Sequence, residues 1–227
     1  MLRELLLLLT SAFITLTAQT VPQTCDGPLP SSTAPCAAVH DVVISFDASM
    51  KQPGQDAAMD NLLRTLVGAY TLVGNGPRVG LVAYSNTATL VQPLTSTAAA
   101  LTSAIDNREP SSGHTCTVCG LQRAQEELAA SSRAGARKVL ILLSDGRGTL
   151  HGGDPAAIAT ANQIRAAGTR IIAVGLSTSV STDTIESMAS EPTAAFSYIY
   201  SSIASAQSAV RSVWLPTICE DILLVCR

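Results

Sequence analysis

Three short segments of the chain carry oxygen ligands of the kind a hard cation takes. Asp47-Ala48-Ser49-Met50-Lys51 offers a carboxylate and a hydroxyl two residues apart, Ser144-Asp145-Gly146 offers a second carboxylate, and Gly113-His114-Thr115-Cys116-Thr117 offers further hydroxyls. Oxygen ligands that are few in number and leave room for water suit Mg2+. Each residue also has a plainer role. Asp47 or Ser49 would serve as a helix N-cap, and Asp145-Gly146 would serve as a turn. A fourth segment, Cys116-Thr117-Val118-Cys119, is the arrangement that lowers a thiol pKa at a helix N-terminus in disulfide-exchange enzymes. Its surroundings argue against that chemistry, because no Trp-Cys-Gly-Pro sequence is present and the motif follows a helical pattern instead of the first strand. Zinc would need a second cysteine pair at a matching spacing, and Cys219 to Cys226 is too wide. His114 and His151 read as solvated loop residues near the same region. No G-x-S-x-G, P-loop or strand-following G-x-G-x-x-G occurs, so neither a nucleophile elbow nor a phosphate cradle is expected.

The elements that must hold these segments alternate along the chain. Asp41 to Phe46 is a β-branched, apolar run that predicts a first strand. Apolar residues at spacings of three and four across 54–73 predict a helix, ended by Gly74-Asn75-Gly76-Pro77. Arg78 to Ser85 and Thr87 to Val91 predict two strands joined at Ser85-Asn86, the second stopped by Pro93; so short a link demands an antiparallel hairpin. A helix capped at Ser96 or Thr97 and running to Asn107, a loop at 109–113 and a helix from Cys119 to Ser131 follow. Lys138 to Leu143 is nearly all apolar and must be buried on both faces, as in the centre of a parallel sheet. A helix at 154–167, strands at 169–174 and 195–200, and helices at 182–190 and 203–213 complete the pattern. This is an α/β chain: a doubly wound, mostly parallel sheet with one antiparallel edge strand and helices on both faces. In such sheets ligands bind at the carboxyl ends of the strands, where Asp47 and Asp145 fall.

At these residues the chain resembles a von Willebrand factor A domain, the family that includes the inserted ligand-binding domains of integrins. The resemblance spans about residues 38–215 and rests on Asp41-Val-Val-Ile-Ser-Phe-Asp47, Arg78-Val-Gly-Leu-Val-Ala-Tyr-Ser85 and the strand from Leu140 to Gly146. It implies a metal-ion-dependent adhesion site formed by Asp47, Ser49, Thr115 and Asp145, with Mg2+ as the cation and a protein ligand that presents an acidic group. One position departs from the family pattern: Lys51 stands where a second serine hydroxyl would meet the metal. A protonated ammonium has no lone pair to donate to a cation. Three arrangements follow: Lys51 swings to solvent, its ammonium takes the metal's place beside Asp47 and Asp145, or the site is vestigial.

Composition narrows the rest. The 227 residues are 47% hydrophobic, 14% charged and 4% aromatic, with a net charge of −3 and no basic run. Disorder is excluded and nucleic acid is not an expected partner. Residues 1–20 read as a secretory signal peptide: Arg3, an apolar run from Leu5 to Leu9, then Ala18-Gln19-Thr20. No transmembrane anchor is expected. Residues 21–37 read as a Pro-rich linker, 38–215 as the domain and 216–227 as a tail. Six cysteines in a chain bound for an oxidising compartment predict disulfides. Cys116 is expected to pair with Cys119. Cys25 and Cys36 are expected to pair with Cys219 and Cys226 in an order the sequence does not assign, because domain termini tend to lie close together. The expected function is a secreted, extracellular, non-enzymatic adhesion module. The alternatives are a secreted thiol-disulfide oxidoreductase using Cys116 and Cys119, and a structural module with a vestigial site.

Overall fold

The computed structural model describes residues 39–49, 54–131, 133–144 and 147–214. Six strands form one sheet in the spatial order β3-β2-β1-β4-β5-β6. They are β1 (His40–Asp47), β2 (Arg78–Tyr84), β3 (Ala88–Thr95), β4 (Arg137–Ser144), β5 (Arg170–Gly175) and β6 (Ser197–Ile199). All pairings are parallel except β2 with β3. The centre of the sheet is fully buried: Val42 to Ile44, Leu81, Val82, Leu140 to Leu143 and Ile171 to Val174 are shielded from solvent, which is why these strands read as unbroken apolar runs.

The helices are α1 (Gln55–Val67), α2 (Ala98–Asp106), α3 (Thr117–Ala130), α4 (Gly153–Ala166), α5 (Thr182–Met188), the single turn α6 (Thr193–Phe196) and α7 (Ile203–Ala209). From β1 the chain crosses through α1 to one side of the sheet, and from β4 it crosses through α4 to the other. Right-handed crossovers in opposite directions place those helices on opposite faces. Accordingly α1 packs with α2 and α7, while α4 packs with α3 and α5.

The expected α/β architecture and its antiparallel edge are present, with local corrections. The first helix ends at Val67, short of residue 73, because the amides of Ala69 and Tyr70 turn back onto the carbonyls of Leu66 and Val67 in tighter loops. Tyr70 continues the apolar spacing and is buried, yet it lies outside the helix. Pro93 does not stop the third strand, which runs to Thr95. On an edge strand proline removes no inner ladder bond, and the register shifts opposite Leu81 absorb it. The sixth strand is reduced to three residues because Thr193–Phe196 coils into α6. The last helix changes at Val210 into one π-helical turn, Val210–Trp214. That turn brings Trp214 into the core, where its indole Nε1 donates to Tyr200 Oη at 2.8 Å and its ring stacks on Tyr198 at 6.0 Å.

Candidate functional site

The sheet reverses its winding between β1 and β4, and the residues that follow those two strands open the crevice in which ligands settle. Asp47 is the last residue of β1, in register with Tyr84 of β2, and is buried together with Ser49 and Thr115. Ser49 closes a tight turn onto the aspartate: its backbone amide donates to Asp47 Oδ1 at 2.8 Å and its hydroxyl donates to the same oxygen at 2.6 Å. Ser49 Oγ lies 2.8 Å from Thr115 Oγ1. Since the Ser49 proton is committed to the carboxylate, Thr115 is the donor in that contact. Both hydroxyl oxygens keep lone pairs for another ligand. The plainer capping role does not apply, because α1 is N-capped by Gly54 in a left-handed conformation.

Thr115 reaches this position on a loop held from three sides. His114 N donates to Asn86 Oδ1 at 2.8 Å and Cys116 N to Ser85 O at 2.7 Å, tying the loop to the β2–β3 turn. Thr115 N donates to Thr149 Oγ1 at 2.9 Å, while Thr115 O accepts from the amides of Thr149 at 2.8 Å and Leu150 at 3.3 Å. Gly113 has φ 130°, and a Cβ there would sit 2.6 Å from the Asn86 amide group, so the turn needs glycine. Immediately downstream, Cys116 and Cys119 form the expected disulfide, with Cα atoms 5.2 Å apart. Cys116 is also the N-cap of α3, its Sγ accepting from Cys119 N at 3.2 Å. Helix α3 lies against the sheet closely enough that a Cβ on Gly120 would come within 2.4 Å of the Tyr84 ring. The Tyr84 hydroxyl donates to Leu143 O at 2.9 Å, linking β2 to β4 across β1 just beneath Asp47.

The sequence pattern gave no sign of Arg108, which anchors the start of the loop leading to Thr115. Its guanidinium bonds Asp60 at 2.5 Å and Asp56 at 2.9 Å on α1 and lies 5.7 Å above the Phe46 ring. Burial disfavours its charge most strongly, but the two carboxylates prevail and hold its pKa above the ordinary arginine range.

The structure therefore brings Asp47, Ser49 and Thr115 together. Lys51 and Asp145 lie outside the described residues, as do Cys25, Cys36, Cys219 and Cys226. Neighbouring ligands of an octahedral Mg2+ at about 2.1 Å stand about 3 Å apart, and the contacts of 2.6 and 2.8 Å among Asp47, Ser49 and Thr115 are of that size. The donor set is all oxygen. These three residues fit a hard divalent cation. His114 and His151 take no part in that cluster; His151 is exposed but stands beside the disulfide.

An open doubly wound sheet with buried carboxylate and hydroxyl oxygens at its winding reversal defines a class of α/β binding domain. The profile of the von Willebrand factor type A domain matches residues 41–212, and the chain belongs to that family. No curated protein sequence matches it. Among solved structures it is similar to proximal thread matrix protein 1 of the mussel byssus, with a TM-score of 0.72 at 22% identity in one crystal form, and 0.70 at 27% identity in a structure whose adhesion motif is occupied by zinc. In each comparison 82% of this chain is covered, against 49% and 47% of the mussel chain, so the chain spans about half the length of that protein. The manganese-loaded TRAP protein of Plasmodium vivax shares the fold at a TM-score of 0.61 and 17% identity, covering 79% of this chain and 74% of its own.

Proposed function

We propose that the chain is a secreted adhesion module whose rim at Asp47, Ser49 and Thr115, completed by Asp145, engages an acidic group of an extracellular protein ligand. The observation that carries this reading is the oxygen cluster itself, set at the carboxyl end of β1 in a von Willebrand factor type A fold. Similarity to a byssal matrix protein with a zinc-occupied motif, to manganese-loaded TRAP and to a pilus adhesin of Lactobacillus rhamnosus supports a binding role and a cation at this rim. Secretion is supported by the leader-like residues 1–20 and by the Cys116–Cys119 disulfide. Among the described residues no helix is long and apolar enough to cross a membrane. We assign residues 38–215 to the binding domain, 21–37 and 216–227 to flanking segments, and pairings between Cys25 or Cys36 and Cys219 or Cys226 to join them.

The acidic group of the ligand needs a positive partner. Mg2+ supplies one in the family pattern; in this chain Lys51 brings a second positive charge to the same loop. Two like charges ~4 Å apart cost about 4 kcal/mol at an effective dielectric near 20, so Lys51 weakens divalent binding. Titration of Mg2+ or Mn2+ into the native chain and into Lys51→Ser, read by melting temperature, tests this: ligands bound only by the folded state raise it by mass action. The expected result is an affinity about tenfold or more tighter in Lys51→Ser, abolished when Asp47→Ala is added. Equal affinities in the two proteins, or no shift in either, would overturn the assignment of the rim as a cation site tuned by Lys51.

A further inference from the structure

We propose that Cys116, Cys119 and His151 form, once their disulfide is reduced, a three-ligand site for a thiophilic divalent cation of the Zn2+ type. The two sulfurs and an imidazole nitrogen of His151 all lie within 4.8 Å of one another. In tetrahedral Zn2+ coordination, with Zn–S near 2.3 Å and Zn–N near 2.0 Å, sulfurs stand about 3.8 Å apart. The cysteine Cα atoms stand 5.2 Å apart, a separation that allows the sulfurs to part to that distance, with His151 on the same side. The Cys-x-x-Cys spacing over the first turn of a helix is the one that structural zinc sites use. The third ligand arrives from a distant loop, which is why the search for a second cysteine pair overlooks it.

The placement of His151 does not depend on the disulfide. Its φ is 52°, and it opens a left-handed run with Gly152 at 89° and Gly153 at 62°. The preceding residues are fixed by hydrogen bonds to Thr115: the amides of Thr149 and Leu150 donate to Thr115 O, and Thr115 N donates to the Thr149 hydroxyl. Reduction breaks none of these bonds, so the backbone that carries His151 keeps its place within reach of the two sulfurs. The disulfide itself cannot ligate strongly, because the thiolate is the metal ligand. A dithiol reductant supplies two electrons and two protons, becomes a disulfide and leaves two cysteine thiols. On metal binding each thiol releases its proton to solvent and donates a sulfur lone pair, neutral His151 donates a nitrogen lone pair, and water holds the fourth position. The donor set is soft, whereas the Asp47–Ser49–Thr115 rim is hard, and the two sites share only the Thr115–Cys116 peptide.

Cobalt(II) tests the site directly, since thiolate-to-cobalt charge transfer in the near ultraviolet arises only with sulfur ligation, while intense visible bands report tetrahedral coordination. With the full chain reduced by a phosphine, Co2+ is expected to develop both features, to be displaced by Zn2+, and to give neither with the oxidised chain. Cys119→Ser should abolish the charge-transfer band, and His151→Ala should weaken Co2+ binding about tenfold or more, as losing a ligand must cost at least what losing a supporting residue does. A second protein with Cys25, Cys36, Cys219 and Cys226 all replaced by serine should retain the spectrum. Absence of the bands, survival of the charge-transfer band in Cys119→Ser, an undiminished Co2+ affinity in His151→Ala, or unfolding on reduction before the metal binds would each overturn the proposal.

Discussion

Strand β1 carries a buried carboxylate at each end, and the two ends are built for different purposes. At the amino end Asp41 is fully buried and gripped by two guanidiniums: Arg78 bonds it through Nε at 2.9 Å and Nη2 at 2.7 Å, and Arg133 through Nη2 at 2.7 Å and Nε at 3.0 Å. Burial pushes its pKa upward, yet the bonds from Arg78 and Arg133 outweigh burial and hold the carboxyl below its usual range. Arg133 also donates to His40 O and Gly76 O, and Arg78 to Ser131 O, so the charges double as clamps on loops. At the carboxyl end Asp47 receives an amide and a hydroxyl from Ser49, with Thr115 one step further on. Guanidiniums have no lone pairs to offer, whereas hydroxyls do. The amino end is closed to further ligands and serves stability; the carboxyl end keeps oxygen atoms that a cation can share.

The largest effect expected from this contrast is on stability at the amino end. Asp41→Ala leaves two partly buried guanidiniums without their partner, and breaking one side of a buried pair costs about 3 to 5 kcal/mol. Urea unfolding should show that loss, and a cost under about 1 kcal/mol would mean the clamp is not what holds this end together. Next in size is the response to pH at His40. Burial first, then the charges of Arg137 and Arg170, lower its pKa to about 4 against an opposing pull from Asp41; its Nδ1 is buried with no hydrogen-bond partner among the described residues. Between its ordinary value near 6.5 and about 4 the unfolded chain binds the proton and the folded chain does not. Stability is therefore complete above that window and falls as pH drops through it, by about 3 kcal/mol. His40→Gln should flatten the urea midpoint between pH 6.5 and 4, as ordinary and lowered values set that interval; an unchanged slope would assign the loss to other groups. The smallest stability effect belongs to the carboxyl end. Asp47→Asn keeps an acceptor for Ser49 and should cost about 1 kcal/mol or less while removing Mg2+ or Mn2+ binding in the Lys51→Ser background. A loss of stability matching that of Asp41→Ala would erase the distinction between the ends.

How much of this could be read from the sequence depended on the range of the interaction. The nearly all-apolar run at Lys138 to Leu143 placed β4 at the centre of the sheet, because only burial on both faces permits it, and the short link at Ser85-Asn86 dictated the antiparallel edge. Asp47, Ser49 and Thr115 were legible as a group through the family pattern, and the structure shows those three in contact. Residues that owe their position to remote partners were not legible. Leu94 stays in β3 beyond Pro93 because its amide finds the buried carboxylate of Glu127, 33 residues away, at 3.0 Å. Arg108 is fixed by Asp56 and Asp60, about 50 residues earlier in the chain. His151 resembled any loop histidine until hydrogen bonds from Thr149 and Leu150 to Thr115 set it beside the disulfide. Nor does apolar spacing distinguish a residue that continues a helix from one that merely caps the same core, as Tyr70 shows.

The π-helical turn that swings Trp214 inward has a practical consequence. The chain contains one tryptophan, and its indole is buried between Tyr198 and Tyr200 beside the outer strand β6. Intrinsic fluorescence is thus a local optical reporter for the β6 edge, separated from Asp47 by β4 and β5. A spectral change on adding a rim ligand would be a signal carried across half the sheet, and a silent spectrum with bound ligand would mark the rim as mechanically insulated from the far edge.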